Sequence, residues 1–363
     1  MKSRVQAFAL LAYALALAFA LGSAVASTPS PKKFDGVLRN VGDGRQDAYL
    51  IPPFASNHAS FVEKDSKERL TMAWFSGSKE GESGVAIVVS TYDGVNKRWG
   101  NASVVSQRDG YSNQNPVLFW DDANATLHLF HSQQQADKGE SESTVWHLEA
   151  SGSGWSTPKK IFSKAGSFDR NRMVVGLDHR WIFPMYYASQ PNYCHIKTLQ
   201  PGQDPEKASW GNENFVNTDD LVQPTVIRPA KGKPALKAFM RDRNSEHIYT
   251  AESTDDGMTW SAAKASSLPN NNAGIQALTL ASGRVALVYN PQTTSRDPIA
   301  ISLSEDGGES WAYTRILEHE DGKQEFSYPS LLQTSDGRIH VTYTWKRETI
   351  KYSVIDEDWV MAQ

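Results

Sequence analysis

Hydrophobic positions along this chain recur mostly in short runs that alternate with polar ones. Almost nowhere do they show the 3.6-residue period of an amphipathic helix, so the pattern predicts strands. One type of run returns six times, each opened by a polar residue or glycine, at His58, Asn115, Asn171, Gln223, Gly274 and Tyr328. The intervals between these openings are 57, 56, 52, 51 and 54 residues. Each run is followed by turn residues and a second alternating run: 70–75, 126–131, 181–186, 235–240, 284–289 and 338–345. Ser282-Gly283 and Asp336-Gly337 are good hairpin turns between such pairs. Late in each unit stands a tryptophan, at 99, 155, 210, 260, 311 and 359. Two periodic series of equal count predict an all-β fold, a six-bladed β-propeller of four-stranded antiparallel blades. A pair of β-sandwiches leaves the six-fold register unexplained.

Two late-unit segments share a finer pattern. Ser253-Thr-Asp255-Asp-Gly257-Met-Thr259-Trp260 and Ser304-Glu-Asp306-Gly-Gly308-Glu-Ser310-Trp311 both read S-x-D-x-G-x-T/S-W, the Asp-box. The Asp accepts backbone N–H bonds, the Gly permits positive φ, and the Trp fills the blade. Ser90-Thr-Tyr-Asp93-Gly94 with Trp99 is a degenerate copy. With six of the eleven tryptophans absorbed by the repeat, Trp74, Trp120, Trp146, Trp181 and Trp345 remain. Of these, Trp74 and Trp345 are the two placed to approach the axis and stack on a sugar.

Composition narrows the function. With 37 Lys+Arg against 41 Asp+Glu the formal charge is -4, which argues against a nucleic-acid binder. One cysteine, Cys194, excludes an intramolecular disulfide framework and reads as a buried thiol. The nine histidines form no H-x-x-x-H or H-E-x-x-H pattern, and no Gly-rich phosphate loop precedes a helix, so neither a metal nor a cofactor is expected. Residues 1–26 combine Lys2 and Arg4, an apolar run and Ala24-Val-Ala26, the pattern of a cleaved secretion signal. The expected organisation is a signal at 1–26, an N-terminal segment at 27–44 and one propeller domain at 45–363. The mature chain is expected in the secreted or endolysosomal space, monomeric and free of the membrane. Asn101-Ala-Ser103 and Asn124-Ala-Thr126 are then candidate glycosylation sites.

The Asp-boxes and the six-fold repeat resemble the sialidase (neuraminidase) superfamily over about residues 45–360. That resemblance implies an axial site that holds a sugar carboxylate with three arginines, whose planar forks match it bidentately. Arg241, 18 residues after Gln223, is similar to the second arginine, and Arg296 to the third. Tyr328 is similar to the nucleophile, a role these glycosidases give to tyrosine. Asn115 and Asn171 would add hydroxyl-recognising amides.

Departures from the family pattern bear on the chemistry. No arginine opens the first unit; His58 stands at or near that position. Gln223 occupies the place of the glutamate that activates the tyrosine, and an amide is no base. Glu325 is a possible substitute. The loop that carries the family's acid/base offers Glu80 and Glu82, with Lys79 a source of positive charge. Three readings follow. The first is an exo-acting hydrolase with Tyr328 as nucleophile and Glu80 or Glu82 as acid/base. The second is a uronate lyase using His58 as base and Tyr328 as acid. The third is a non-catalytic sugar-binding propeller. Each implies a glycan partner bearing an anionic sugar.

Overall fold

The computed structural model describes residues 32–152, 154–321 and 324–362; the expected secretion signal lies outside them. Six antiparallel sheets follow one another around an axis. Their innermost strands are Ser56–Lys64, Tyr111–Asp121, Ser167–Asp169 with Val174–Val175, Leu221–Ile227, Gln276–Thr279 and Phe326–Gln333. The second strands, Leu70–Gly77, Thr126–Gln135, Trp181–Tyr187, Leu236–Asp242, Val285–Tyr289 and Ile339–Trp345, overlap the six runs expected from the alternation. The fold is a six-bladed β-propeller, with Glu357–Met361 as a single short α-helix among the described residues.

The ring is closed by a strand from the other end of the chain. Arg45–Tyr49 pairs with Thr349–Ile355 in the sixth blade, and Arg39–Gly42 adds outside it. Blade 6 is also fastened to blade 1: Ser60 Oγ donates to Thr342 Oγ1 at 2.9 Å and Val62 N to Ser330 Oγ at 3.2 Å. Apolar clusters fill the spaces between neighbouring blades, as where Phe61 and Phe75 meet Leu118 and Phe130. Alternation along each strand sends one set of side chains to either neighbouring blade, so both sheet faces are dry.

The two Asp-boxes behave as their composition requires. Asp255 accepts from Ser253 Oγ at 2.8 Å and Thr259 N at 2.9 Å, Gly257 has φ 86°, and the Trp260 indole donates to Gly257 O at 3.2 Å. Asp306 repeats the set with Ser304 and Ser310. Cys194 is buried, its thiol donating to Leu221 O at 3.3 Å.

Four inner strands carry the same local irregularity, and it aims the site. Ala59, Asn115, Gln223 and Tyr328 all have positive φ, of 56°, 49°, 53° and 54°. Each sits in a β-bulge, where two residues oppose one on the second strand. Proline follows three of them, at 116, 224 and 329, where the missing N–H costs no ladder bond. The bulge shifts the expected register in blade 1. Ala59, not His58, is the counterpart of Asn115, Gln223 and Tyr328.

Candidate active site

Inner strands begin, second strands end, and the loops joining second to third strands emerge on one and the same face. That face gathers Tyr328 and Gln223 from bulges, Arg241 from a strand end, and Glu80, Glu140, Arg243, Arg296 and Arg347 from loops of blades 1, 2, 4, 5 and 6. Tyr328 lies at the centre. Its hydroxyl accepts from Arg241 Nη1 at 2.6 Å, and the same nitrogen donates to Gln223 Oε1 at 3.1 Å. The Arg241, Arg296 and Arg170 guanidiniums lie 5.6, 5.3 and 5.3 Å from the tyrosine ring centre. Gly274 makes room for this packing, since a Cβ there would meet Gln223 Oε1 at 3.1 Å and Tyr328 Cγ at 3.3 Å.

Arginine positions are set by a polar scaffold. Arg241 Nε donates to Asn272 Oδ1 at 2.7 Å, while Asn270 Oδ1 accepts from the backbone N–H groups of Asp242 and Asn272. Glu325 ties two further guanidiniums together, accepting from Arg296 Nη1 at 2.7 Å and Arg347 Nε at 3.0 Å. Arg347 also donates through Nη1 to Glu80 at 2.6 Å. Burial pushes the Glu325 carboxyl up, but Arg347 and Arg296 more than offset it and leave it below its usual range. The Tyr328 phenol follows the same logic. Burial raises it, Arg241 and Arg296 bring it below its ordinary value, and Glu80 and Glu140 act in the opposite sense.

Beneath Tyr328 the axis is filled by two arginines of blade 3, two residues apart. Arg170 spans to Ser60 O (3.3 Å) and Pro329 O (2.9 Å), and Arg172 to Val62 O (2.8 Å) and Leu331 O (3.1 Å). Arg172 also pairs with Glu63. These guanidiniums cap carbonyls of blades 1 and 6 and add positive charge under the site.

Tyr328, Arg241, Arg296, Gln223 and Glu80 are thus brought together. Asn115 shares the bulge register and is buried. Other expected site residues are placed differently. Asn171 is fully buried, donating to Gln223 O at 2.8 Å and accepting from Gln276 at 3.3 Å, so it supports the site from within and shows no surface to a sugar. His58 is also fully buried, held at Nδ1 by Thr344 Oγ1 (2.8 Å), with its ring centre 4.2 Å from that of Tyr328. Burial and the surrounding Arg347, Arg296, Arg170 and Arg241 hold it neutral, well below its ordinary pKa. It backs the tyrosine and does not reach a ligand. Glu82 is exposed and accepts from Ser78, and Lys79 is exposed on the same loop. Trp74 is buried with its indole donating to Asn57, and Trp345 packs edge-on against Phe34 and Tyr49, so neither offers a face to a sugar.

Sequence reasoning missed Arg347, Arg170 and Glu140. Arg347 stands in a Lys346-Arg347 turn where surface arginines are ordinary, and it meets Glu80 only because the ring closes. Among the described residues no group of three or more His, Cys, Asp or Glu side chains could hold a metal ion.

The profile of the BNR repeat-like domain matches residues 68–341. The chain belongs to the BNR repeat-like family. No curated protein matches it by sequence. Among solved structures, it is similar to an intramolecular trans-sialidase from Ruminococcus gnavus, with TM-score 0.72 and 13% identity over 87% of this chain and 98% of that one. A Hadza microbial sialidase aligns with TM-score 0.71 and 14% identity over 85% of this chain and 67% of that one. A protein of unknown function from Dyadobacter fermentans gives 0.69 and 16% over 87% and 98%. At these identities the likeness is one of fold, and this BNR propeller shares the sialidase architecture.

Proposed function

We propose that this BNR propeller is a secreted, exo-acting glycoside hydrolase that removes a carboxylate-bearing sugar of the sialic acid type. The observation that carries the reading is the linkage of three guanidiniums around one tyrosine. Arg241 holds the Tyr328 hydroxyl, and Arg296 and Arg347 share Glu325 beside it. Arg347 takes the part of the arginine missing from blade 1, reaching the site from the neighbouring blade. The sugar carboxylate binds this cluster, which places the anomeric carbon at Tyr328. Tyr328 Oη attacks that carbon and forms a glycosyl–tyrosine bond. The leaving oxygen takes a proton from Glu80, which then deprotonates the water that releases the sugar and regenerates Tyr328.

Activation of the phenol differs from the family scheme. Gln223 cannot accept its proton, so that proton leaves to solvent, and the arginines that lower the Tyr328 pKa stabilise the phenolate that then attacks. The lyase reading loses support because His58, its base, is buried behind Tyr328. A binding-only role draws on one observation: Glu80 and Glu325 are both paired to arginine, and no carboxylate bonds the Tyr328 hydroxyl among the described residues. A fluorogenic sialoside separates the readings. Release of fluorophore, abolished in Tyr328→Phe and undiminished in Gln223→Glu, supports hydrolysis. Binding without release refutes it.

A further inference from the structure

On the face opposite the axial site, where inner strands end and second strands begin, a groove of about 600 Å³ runs between blades 1 and 2. A hollow of about 340 Å³ adjoins it, shares Lys64 and Trp120 in its lining, and reaches Arg172 on the axis. Three half-buried aromatic side chains line the groove: Tyr92 from blade 1, and Trp120 and Trp155 from blade 2. Trp120 is one of the tryptophans that the repeat does not absorb. Its indole N–H donates to Asp122 Oδ1 at 2.7 Å, which fixes the ring. Trp155 belongs to the repeat, yet its counterparts Trp99, Trp260 and Trp359 are buried and it is not. Blade 2 has no Asp-box at this point; Trp155 follows a tight turn and pairs with Ala150, which leaves part of the ring open to the groove. Among the described residues no protein group takes up the Tyr92 hydroxyl or the Trp155 indole N–H. The charges of the lining cancel in pairs. Lys64 Nζ donates to Glu68 at 2.5 Å, Arg69 Nε donates to Asp65 at 2.5 Å, and Arg172 pairs with Glu63. Asp122, the remaining charged side chain of the lining, is the one that holds the Trp120 indole.

We propose that this groove is a second, non-catalytic binding site, and that it takes a neutral carbohydrate chain. Sugar rings offer C–H faces that pack on aromatic rings, and hydroxyls at their edges that both donate and accept. The groove supplies both kinds of partner: three aromatic rings, the free Tyr92 hydroxyl and Trp155 N–H, and the hydroxyls of Thr71 and Thr91 in the same lining. Its charge balance decides the class of chain. A charged ligand would lose hydration here and find a counter-charge only by breaking one of the internal ion pairs. The layout decides its length. Trp120 lies on an inner strand and Trp155 on the outermost strand of blade 2, so the aromatics are spread from the axis towards the rim and suit several consecutive sugars. Because the groove and the axial site open on opposite faces, one propeller can hold a ligand at each. The groove fastens the protein to a glycan and leaves the axial site free. This inference stands whether or not the axial site is catalytic.

The test titrates the full mature chain with cellohexaose, xylohexaose, mannohexaose and chitohexaose, and with hexagalacturonate as the anionic control. The readout is the indole ¹⁵N–¹H resonances of Trp120 and Trp155, assigned through Trp120→Phe and Trp155→Phe. At least one neutral hexasaccharide is expected to shift both resonances saturably, and hexagalacturonate to shift neither. Trp120→Ala should weaken the Kd about tenfold, the size of one lost aromatic contact, and Trp120→Phe should recover part of it. Arg241→Met should leave the affinity unchanged, because that residue serves the other face. The proposal is overturned if no neutral hexasaccharide shifts the two indoles, if hexagalacturonate binds as tightly, or if neither Trp120→Ala nor Trp155→Ala weakens binding. Loss of binding in Arg241→Met would place the sugar in the axial site and overturn it equally. So would a concentration-dependent dimer in sedimentation that Trp120→Ala abolishes, since the groove would then belong to a second copy of the chain. Should an alanine variant fail to fold, the wild-type indole shifts decide alone.

Discussion

Replacing Arg241 with methionine keeps much of the side chain's bulk and removes its charge and all its donors. In the native structure three acceptors depend on it: Tyr328 Oη at 2.6 Å, Gln223 Oε1 at 3.1 Å and Asn272 Oδ1 at 2.7 Å. A hydrogen bond from a charged donor is worth about 1.5–3 kcal/mol, which converts to roughly one to two pKa units on the phenol it stabilises. Burial, which already pushes Tyr328 up, then faces Arg296 as the main remaining cation. The phenol is expected to rise above its ordinary value, cutting the phenolate fraction at neutral pH about ten- to a hundredfold. Loss of one carboxylate fork adds a comparable factor in substrate binding, so kcat/KM falls on the order of a thousandfold. Titration of tyrosine Cζ resonances by ¹³C NMR, with Tyr328→Phe to assign the site, measures the shift directly. Arg241→Lys should recover part of the shift, because charge remains without the fork. A folded Arg241→Met protein whose Tyr328 titrates as in the wild type would refute electrostatic activation of the phenol.

Arg347→Met should weaken binding of a carboxylated sugar about ten- to a hundredfold by calorimetry, since it removes one charge-assisted contact; an unchanged Kd would show that Arg347 holds Glu80 and Glu325 without contacting the ligand. Gly274→Ala drives a methyl to 3.1 Å from Gln223 Oε1 and 3.3 Å from Tyr328 Cγ. It is expected to cost about 1–3 kcal/mol in stability and to lower kcat by displacing the tyrosine, and unaltered melting and turnover would contradict that crowding. Asp169 is fully buried, held by Ser132, and pushed by burial from 3.8 up to about 8. Its folded pKa is raised, so its contribution is present below the unfolded value near 4 and lost as pH climbs towards 8. Asp169→Asn, which copies the neutral form, should therefore gain on the wild type between pH 5 and pH 8, by roughly 2–4 kcal/mol in denaturant titrations; a gap that narrows over that range reverses the assignment.

Residues with a local signature are legible in the amino-acid sequence alone. The alternation, the hairpin turns and the tryptophan spacing specify six blades because each blade solves the same packing problem with nearest neighbours in sequence. Asp255 and Asp306 are satisfied within five residues of themselves, and Arg241, Arg296 and Tyr328 are recognisable because their places within the repeat match the pattern of the family the chain resembles. Gln223 announces a missing base, and the structure seats it against Arg241 and Tyr328. What the sequence could not disclose is what meets across the ring. Arg347 and Glu80 are 267 residues apart and Arg170 and Pro329 159 apart, yet both pairs are bonded. A bulge in the first inner strand turned Ala59 to the position expected of His58, and burial behind Tyr328 took the histidine out of reach of any ligand. Tertiary structure alone decided these points, because the charge a residue feels and the face it shows depend on which blades the closed ring makes neighbours, and no local pattern records that.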